Sequence, residues 1–158
     1  MSVTSVLAGL IGTAFLSACG SCDSYVHQAS LPVLAAGTFD GVAADQSGHR
    51  LYFADQANQA VDVVDVSGGA PRFKGPVDVP AAPNGLAFAP PTQRLYAGMD
   101  GGHVAVIDTD AASPGFMHVI DDVMVDGSTT APTADLMDYS ADGRRLFVGT
   151  AGSGSVVV

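Results

Sequence analysis

The chain has 158 residues, 47% of them hydrophobic and 14% charged, with sixteen acidic side chains against six basic ones and a formal charge of −10. That is ample material for the core of one domain. The acidic balance works against nucleic acid and anionic lipid headgroups as partners. It suits a solvated soluble exterior or a cation-binding surface.

Residues 1–18 carry no charged side chain, and the stretch from Val6 to Leu16 is mostly apolar. So short a run falls below the ~20 residues of a membrane span, and the small residues after it read as a signal peptide. Leu16-Ser17-Ala18-Cys19 resembles the lipobox of bacterial lipoproteins, which implies that Cys19 is acylated after cleavage and becomes the new N-terminus. The same resemblance implies the bacterial cell envelope, outside the cytoplasm, with a lipid anchor as the link to the membrane. The n-region lacks Lys or Arg, so an upstream start is expected. Cys19-Gly20-Ser21-Cys22 also has the spacing of a redox pair, although it lies in a processing segment and not at a strand-to-helix turn. Incidental cysteines are the third reading. Residues 19–29 form a tether of small and polar residues, lipidated if Cys19 is.

Folded sequence starts near Ser30, and from there one pattern occurs three times. Phe39-Asp40-Gly41-Val42-Ala43 leads to Arg50-Leu51-Tyr52-Phe53-Ala54 and Val61-Asp62-Val63-Val64-Asp65. Pro83-Asn84-Gly85-Leu86-Ala87 leads to Arg94-Leu95-Tyr96-Ala97-Gly98 and Val104-Ala105-Val106-Ile107-Asp108. Ala134-Asp135-Leu136-Met137 leads to Arg145-Leu146-Phe147-Val148-Gly149 and Val156-Val157-Val158. The Arg-Leu pairs lie 44 and then 51 residues apart, a period in the range of a four-stranded propeller blade.

Within each unit a short apolar run suits an innermost strand. Polar turns follow at Ser47-Gly48, Pro91-Thr92 and Asp142-Gly143. Branched side chains favour the third strand, and a weaker outer strand is expected over Phe73–Val79 and Phe116–Val125. The expectation is an all-β fold of antiparallel four-stranded β-propeller blades, about three of them, at residues 37–80, 81–125 and 134–158. Leu31-Pro32-Val33 stands 44 residues before Gly75-Pro76-Val77, so residues 30–36 read as the outer strand of a blade completed from the other chain end. Three blades fall short of the roughly 4–8 that close a ring. The chain therefore reads as a truncated open reading frame, with a half-propeller that closes by self-association as the alternative.

These repeats resemble the YVTN family of β-propellers, a resemblance that implies a secreted or surface-anchored interaction module. Phe39-Asp40-Gly41 and Pro83-Asn84-Gly85-Leu86 also resemble the gluconolactonase-like calcium propellers, in which an Asn or Asp before that glycine helps hold a divalent cation in the channel. This second resemblance implies Asp40, Asn84 and Asp135 as oxygen ligands for Ca²⁺ at the channel rim. The chain departs from it in lacking a recognisable counterpart of the family's further glutamate and in carrying Leu136 where the glycine belongs. On their own chemistry, Asp-Gly and Asn-Gly are turn dipeptides.

Other residues read as structural. Asp65 and Asp108 end strands and cap turns, and Tyr52, Tyr96 and Phe147 recur at one position as packing between sheets. His27, His49, His103 and His118 share no repeat position and no metal-ligand spacing. Gly152-Ser153-Gly154 is a hairpin turn. No nucleophile-elbow, zinc-protease, phosphate-loop or haem-attachment motif occurs, and no catalytic residue is assigned. Three classes of function remain: a surface-anchored propeller that binds a protein or glycan, a Ca²⁺-dependent lactonase- or esterase-like hydrolase, and the propeller part of a periplasmic redox enzyme.

Overall fold

The structure is a computed structural model and describes residues 37–68 and 70–158. The signal peptide expected over residues 1–18, Cys19 and the tether expected over residues 19–29, His27 and the strand expected over residues 30–36 lie outside the described residues. The rest is nearly all β. β1 (Phe39–Asp45), β2 (Arg50–Asp55), β3 (Ala60–Asp65) and β4 (Arg72–Asp78) form the first sheet. β5 (Pro83–Ala89), β6 (Arg94–Met99), β7 (His103–Asp108) and β8 (Val119–Met124) form the second. β9 (Ala134–Ser140), β10 (Arg145–Thr150) and the short β11 (Ser155–Val157) form the third. Strand order follows chain order in every sheet, so each is a meander of antiparallel neighbours joined by short turns.

The outer strand of the second sheet starts later than the pattern suggests. Phe116 and Met117 belong to a turn in which Met117 takes φ 58° and returns its N–H to the Asp108 carbonyl at 2.7 Å. Between β5 and β6, Pro90–Thr92 makes one 3₁₀ turn, closed by Gln93 in a left-handed conformation. The fixed φ of proline suits the start of such a turn.

The units superpose in chemistry as well as in sequence. The Gln56 N–H donates to Thr38 O, Asp100 N–H to Ala82 O and Ala151 N–H to Thr133 O, each at 3.0 Å. The same bond in each unit ties the end of the second strand to the residue ahead of the innermost one.

The core lies between sheets. Tyr52, Ala54, Val61 and Val63 of the first pack in one cluster with Leu86, Leu95, Ala97 and Ile107 of the second. A smaller cluster joins Val104 and Tyr96 to Met137 and Val148 of the third. Innermost strands approach closely because of their glycines. A Cβ on Gly41 would stand 2.5 Å from Asn84 O, and one on Gly85 would overlap Asp135 O. At the third such position the chain has Leu136, which is 80% exposed. Phe147 is 38% exposed, where Tyr52 at the matching position is fully buried. Among the described residues, nothing covers that face of the third sheet.

Candidate functional site at the inner-strand rim

Asp40, Asn84 and Asp135 hold one position in the three innermost strands, ahead of Gly41, Gly85 and Leu136. The structure connects the first two. Gln56, just beyond β2, donates Nε2–H to Asn84 Oδ1 at 2.7 Å and to Asp40 Oδ2 at 3.3 Å. Asn84 in turn donates Nδ2–H to Asp100 Oδ1 at 3.1 Å. Asn84 is buried and its amide is engaged at both ends, whereas Asp40 and Asp100 are exposed.

Asp135 stays out of this chain. Gln56, Asp100 and Ala151 are equivalent positions, as their matching backbone bonds show. The bond that Gln56 gives to Asn84 would therefore fall, one unit on, between Asp100 and Asp135. Both are carboxylates, and an ionised carboxylate accepts but does not donate. In the third unit Ala151 has no polar side chain to reach Asp135. Asp135 lines a shallow hollow with Leu136, Gly149 and Thr150, and among the described residues no three His, Cys, Asp or Glu side chains gather as a metal cluster.

The chemistry of the rim follows from this count. Both Nε2 hydrogens of Gln56 are directed to Asp40 and Asn84, and Asn84 is engaged at both ends. What faces solvent is the acceptor oxygen of Asp40 and Asp100, set on a buried amide. Such a surface takes hydrogen-bond donors or cations.

The strand-end aspartates have structural roles. Asp108 accepts from Arg94 Nη1 at 2.6 Å, the Asp110 N–H at 3.0 Å and Ser113 Oγ at 2.5 Å. The Ser113 bond above all holds its carboxyl below the usual carboxylate range, against the opposing effect of burial. Asp65 accepts the Ser67 N–H at 2.8 Å, and its bonds to Ser67 lower its pKa too. His103 bonds Asp122 at 2.9 Å and His118 bonds Phe116 O at 2.8 Å; neither joins the rim.

Two groups escape a reading of the repeats. Asp126 lies between the second and third units and is buried. It accepts the N–H groups of Ser128 at 3.1 Å, Thr133 at 3.4 Å and Ser153 at 3.2 Å. Burial pushes its pKa up, but these backbone bonds outweigh burial and the net shift is down. Asp62 in β3 is buried with Oδ2 unpartnered, and burial, then the nearby Asp55, push its pKa up.

Solved structures resemble this arrangement. Hydrazine synthase of Kuenenia stuttgartiensis matches 84% of this chain with 38% of its own, at 18% identity and a TM-score of 0.59. A protein of Lactobacillus plantarum matches 78% of the chain with 38% of its own, at 22% identity and TM-score 0.61. The WD40 β-propeller domain of Doa1 matches 77% with 40% of its own, at 12% identity and TM-score 0.56. The chain is a partial β-propeller. Identities this low carry the fold alone, and the chain spans about two fifths of the length of the structures it matches. No family model and no curated protein matches the sequence.

Proposed function

We propose that this partial propeller is a surface-anchored binding module, and that its inner-strand rim takes a protein or glycan ligand through hydrogen-bond donors. The observation that carries this reading is the bonded series Asp40, Gln56, Asn84, Asp100. It fixes two exposed carboxylates on a buried amide, and rigid strands hold them in place. Ligand hydroxyls, or the Lys and Arg side chains of a partner protein, would meet acceptors already oriented. The lipobox-like Leu16-Ser17-Ala18-Cys19 supports an extracytoplasmic, lipid-anchored location.

The test is binding of the full chain to a panel of glycans and to basic peptides, with Asp40→Asn and Asp100→Asn combined in one variant. A ligand of the rim should lose about tenfold or more in affinity, as expected for charge-assisted bonds. Salt should weaken a basic peptide much more than a glycan. Ligand binding that ignores the double variant would overturn the assignment. For the anchor, mass spectrometry of the mature N-terminus should show acyl chains on Cys19; a free thiol there would overturn that part.

A cation at the rim is the second reading. What favours it is the repeat position at which Asp100 and Asp135 follow one another with no donor between them. Ca²⁺ accepts such oxygens and requires several more.

A further inference from the structure

Arg50 and Arg94 occupy the same repeat position yet end in different surroundings. Arg94 is paired across the strands with Asp108 and donates to it at 2.6 Å, with a second bond to Gln93 O at 3.0 Å. Arg50 is paired across the strands with Asp65, but Asp65 turns to the Ser67 N–H. Arg50 instead reaches the turn before β8, where its guanidinium carbon stands 5.1 Å from the centroid of the Phe116 ring. Its salt-bridge partner, Asp45 Oδ2, is 3.5 Å away. Among the described residues Arg50 donates no hydrogen bond of good geometry.

Buried polar groups lie close to Arg50. Asp45 Oδ2, the Tyr52 hydroxyl and Thr109 Oγ1 are buried without hydrogen-bond partners. Burial first, and then the Asp45 charge, raise the Tyr52 pKa to about 12, so the phenol stays protonated.

Arg50 and Phe116 line a cleft of about 420 Å³ between β3–β4 and the turn before β8. Its volume falls in the range of about 300–1,000 Å³ typical of small-molecule sites. Val63, Val77 and Met117 supply apolar lining, while Arg50 and Lys74 supply positive charge. Asp65 also lines the cleft, held by Ser67, while Asp45 is outside its lining, with its other oxygen bonded to Ser47 and Gly48. Two of the six cations of an acidic chain thus face one apolar cleft.

We propose that this cleft between the first two sheets binds a carboxylate attached to an apolar body. The carboxylate takes the guanidinium fork of Arg50 and the ammonium of Lys74, and the apolar body lies on Val63, Val77 and Met117. Arginine suits this role because its planar donors match two carboxylate oxygens. The site is separate from the inner-strand rim and does not depend on the function proposed there. A free organic acid and an acidic residue next to an aliphatic one in a peptide share this chemistry.

The test uses the full chain and ligand-observed NMR with three probes: N-acetyl-leucine, its uncharged amide, and N-acetyl-aspartyl-leucinamide. At least one acid should bind about tenfold or more tightly than the uncharged amide, and Arg50→Gln should remove most of that difference. Stronger binding of the dipeptide assigns a peptide ligand, and stronger binding of N-acetyl-leucine assigns a small acid. Lys74 is exposed, so Lys74→Gln tests the charge even if Arg50→Gln fails to fold; it should weaken both acids several-fold. Arg144→Gln, at an exposed arginine outside the cleft, should change nothing. The proposal is overturned if the amide binds as well as the acids, if no probe binds up to about 10 mM, or if Arg144→Gln weakens binding as much as Lys74→Gln.

Discussion

Replacing Gly85 by alanine should loosen the second sheet from the third. Gly85 does not have a positive φ, so alanine is permitted by the backbone and the penalty is one of space. The new Cβ would overlap the Asp135 carbonyl oxygen and stand 3.4 Å from Met137 Cγ. The side chain of Met137 can move. The Asp135 carbonyl belongs to β9, whose neighbours Ala134 and Met137 are paired with Thr150 and Val148, so relief requires a shift of the whole strand. Overpacking of this kind costs about 1–3 kcal/mol, and a backbone obstacle puts Gly85→Ala toward the upper end. Two other glycines separate space from conformation. Gly127→Ala meets open space at an ordinary φ and should be neutral or stabilising by up to about 1 kcal/mol. Gly75→Ala also meets open space, but at φ +126°, and should cost about 1 kcal/mol or more from strain. Urea unfolding followed by circular dichroism would give the order, with the slope checked for constancy. If Gly85→Ala stays within about 0.5 kcal/mol of the parent, close packing of innermost strands is not what joins these sheets.

Asp126→Ala would leave the N–H groups of Ser128, Thr133 and Ser153 without their acceptor and should lower the urea midpoint at pH 7. Its folded pKa is depressed, so that stability is present above the unfolded value of about 3.9 and is lost as pH falls through the folded one; the gap between parent and variant should close below about pH 4. Asp62 has the opposite sign, with a raised folded pKa. Its ionised form costs stability at neutral pH, so Asp62→Asn should raise the urea midpoint at pH 7, with the gain fading as pH falls through the folded pKa. If the rim holds Ca²⁺, millimolar calcium should release heat and raise the melting temperature in a longer homologous propeller, and replacing the counterparts of Asp100 and Asp135 there by alanine should abolish both; no heat in the parent would remove the cation reading. Residues 30–158 should self-associate in light scattering, because Leu136, Phe147 and Val156 are exposed on the third sheet; a monodisperse monomer that unfolds cooperatively would contradict this.

Much of the architecture is local chemistry repeated, and so it is legible along the chain. Alternating apolar residues, branched third strands and Gly-rich turns set the meanders without reference to distant residues. The turn caps of Asp65 and Asp108 involve neighbours two to five positions away. The glycines of the innermost strands stand out because they recur, although only the structure shows the carbonyls they make room for. Asp40 and Asn84 are visible as a repeated position for the same reason. Their junction is not, because it runs through Gln56, whose repeat equivalents are Asp100 and Ala151, and a position that changes type offers no pattern. Asp126 was equally hidden: its bond to Ser153 spans 27 residues and exists only once the third sheet has folded beside the linker. Arg50 and Arg94 mark the limit most plainly. Both precede leucine at the same place in the repeat, and sequence gives them one role. The packed structure gives them two, since a long cationic side chain goes to the partners within reach, and these are Asp108 in the same sheet for Arg94 but Asp45 and the Phe116 ring, in the turn before β8, for Arg50.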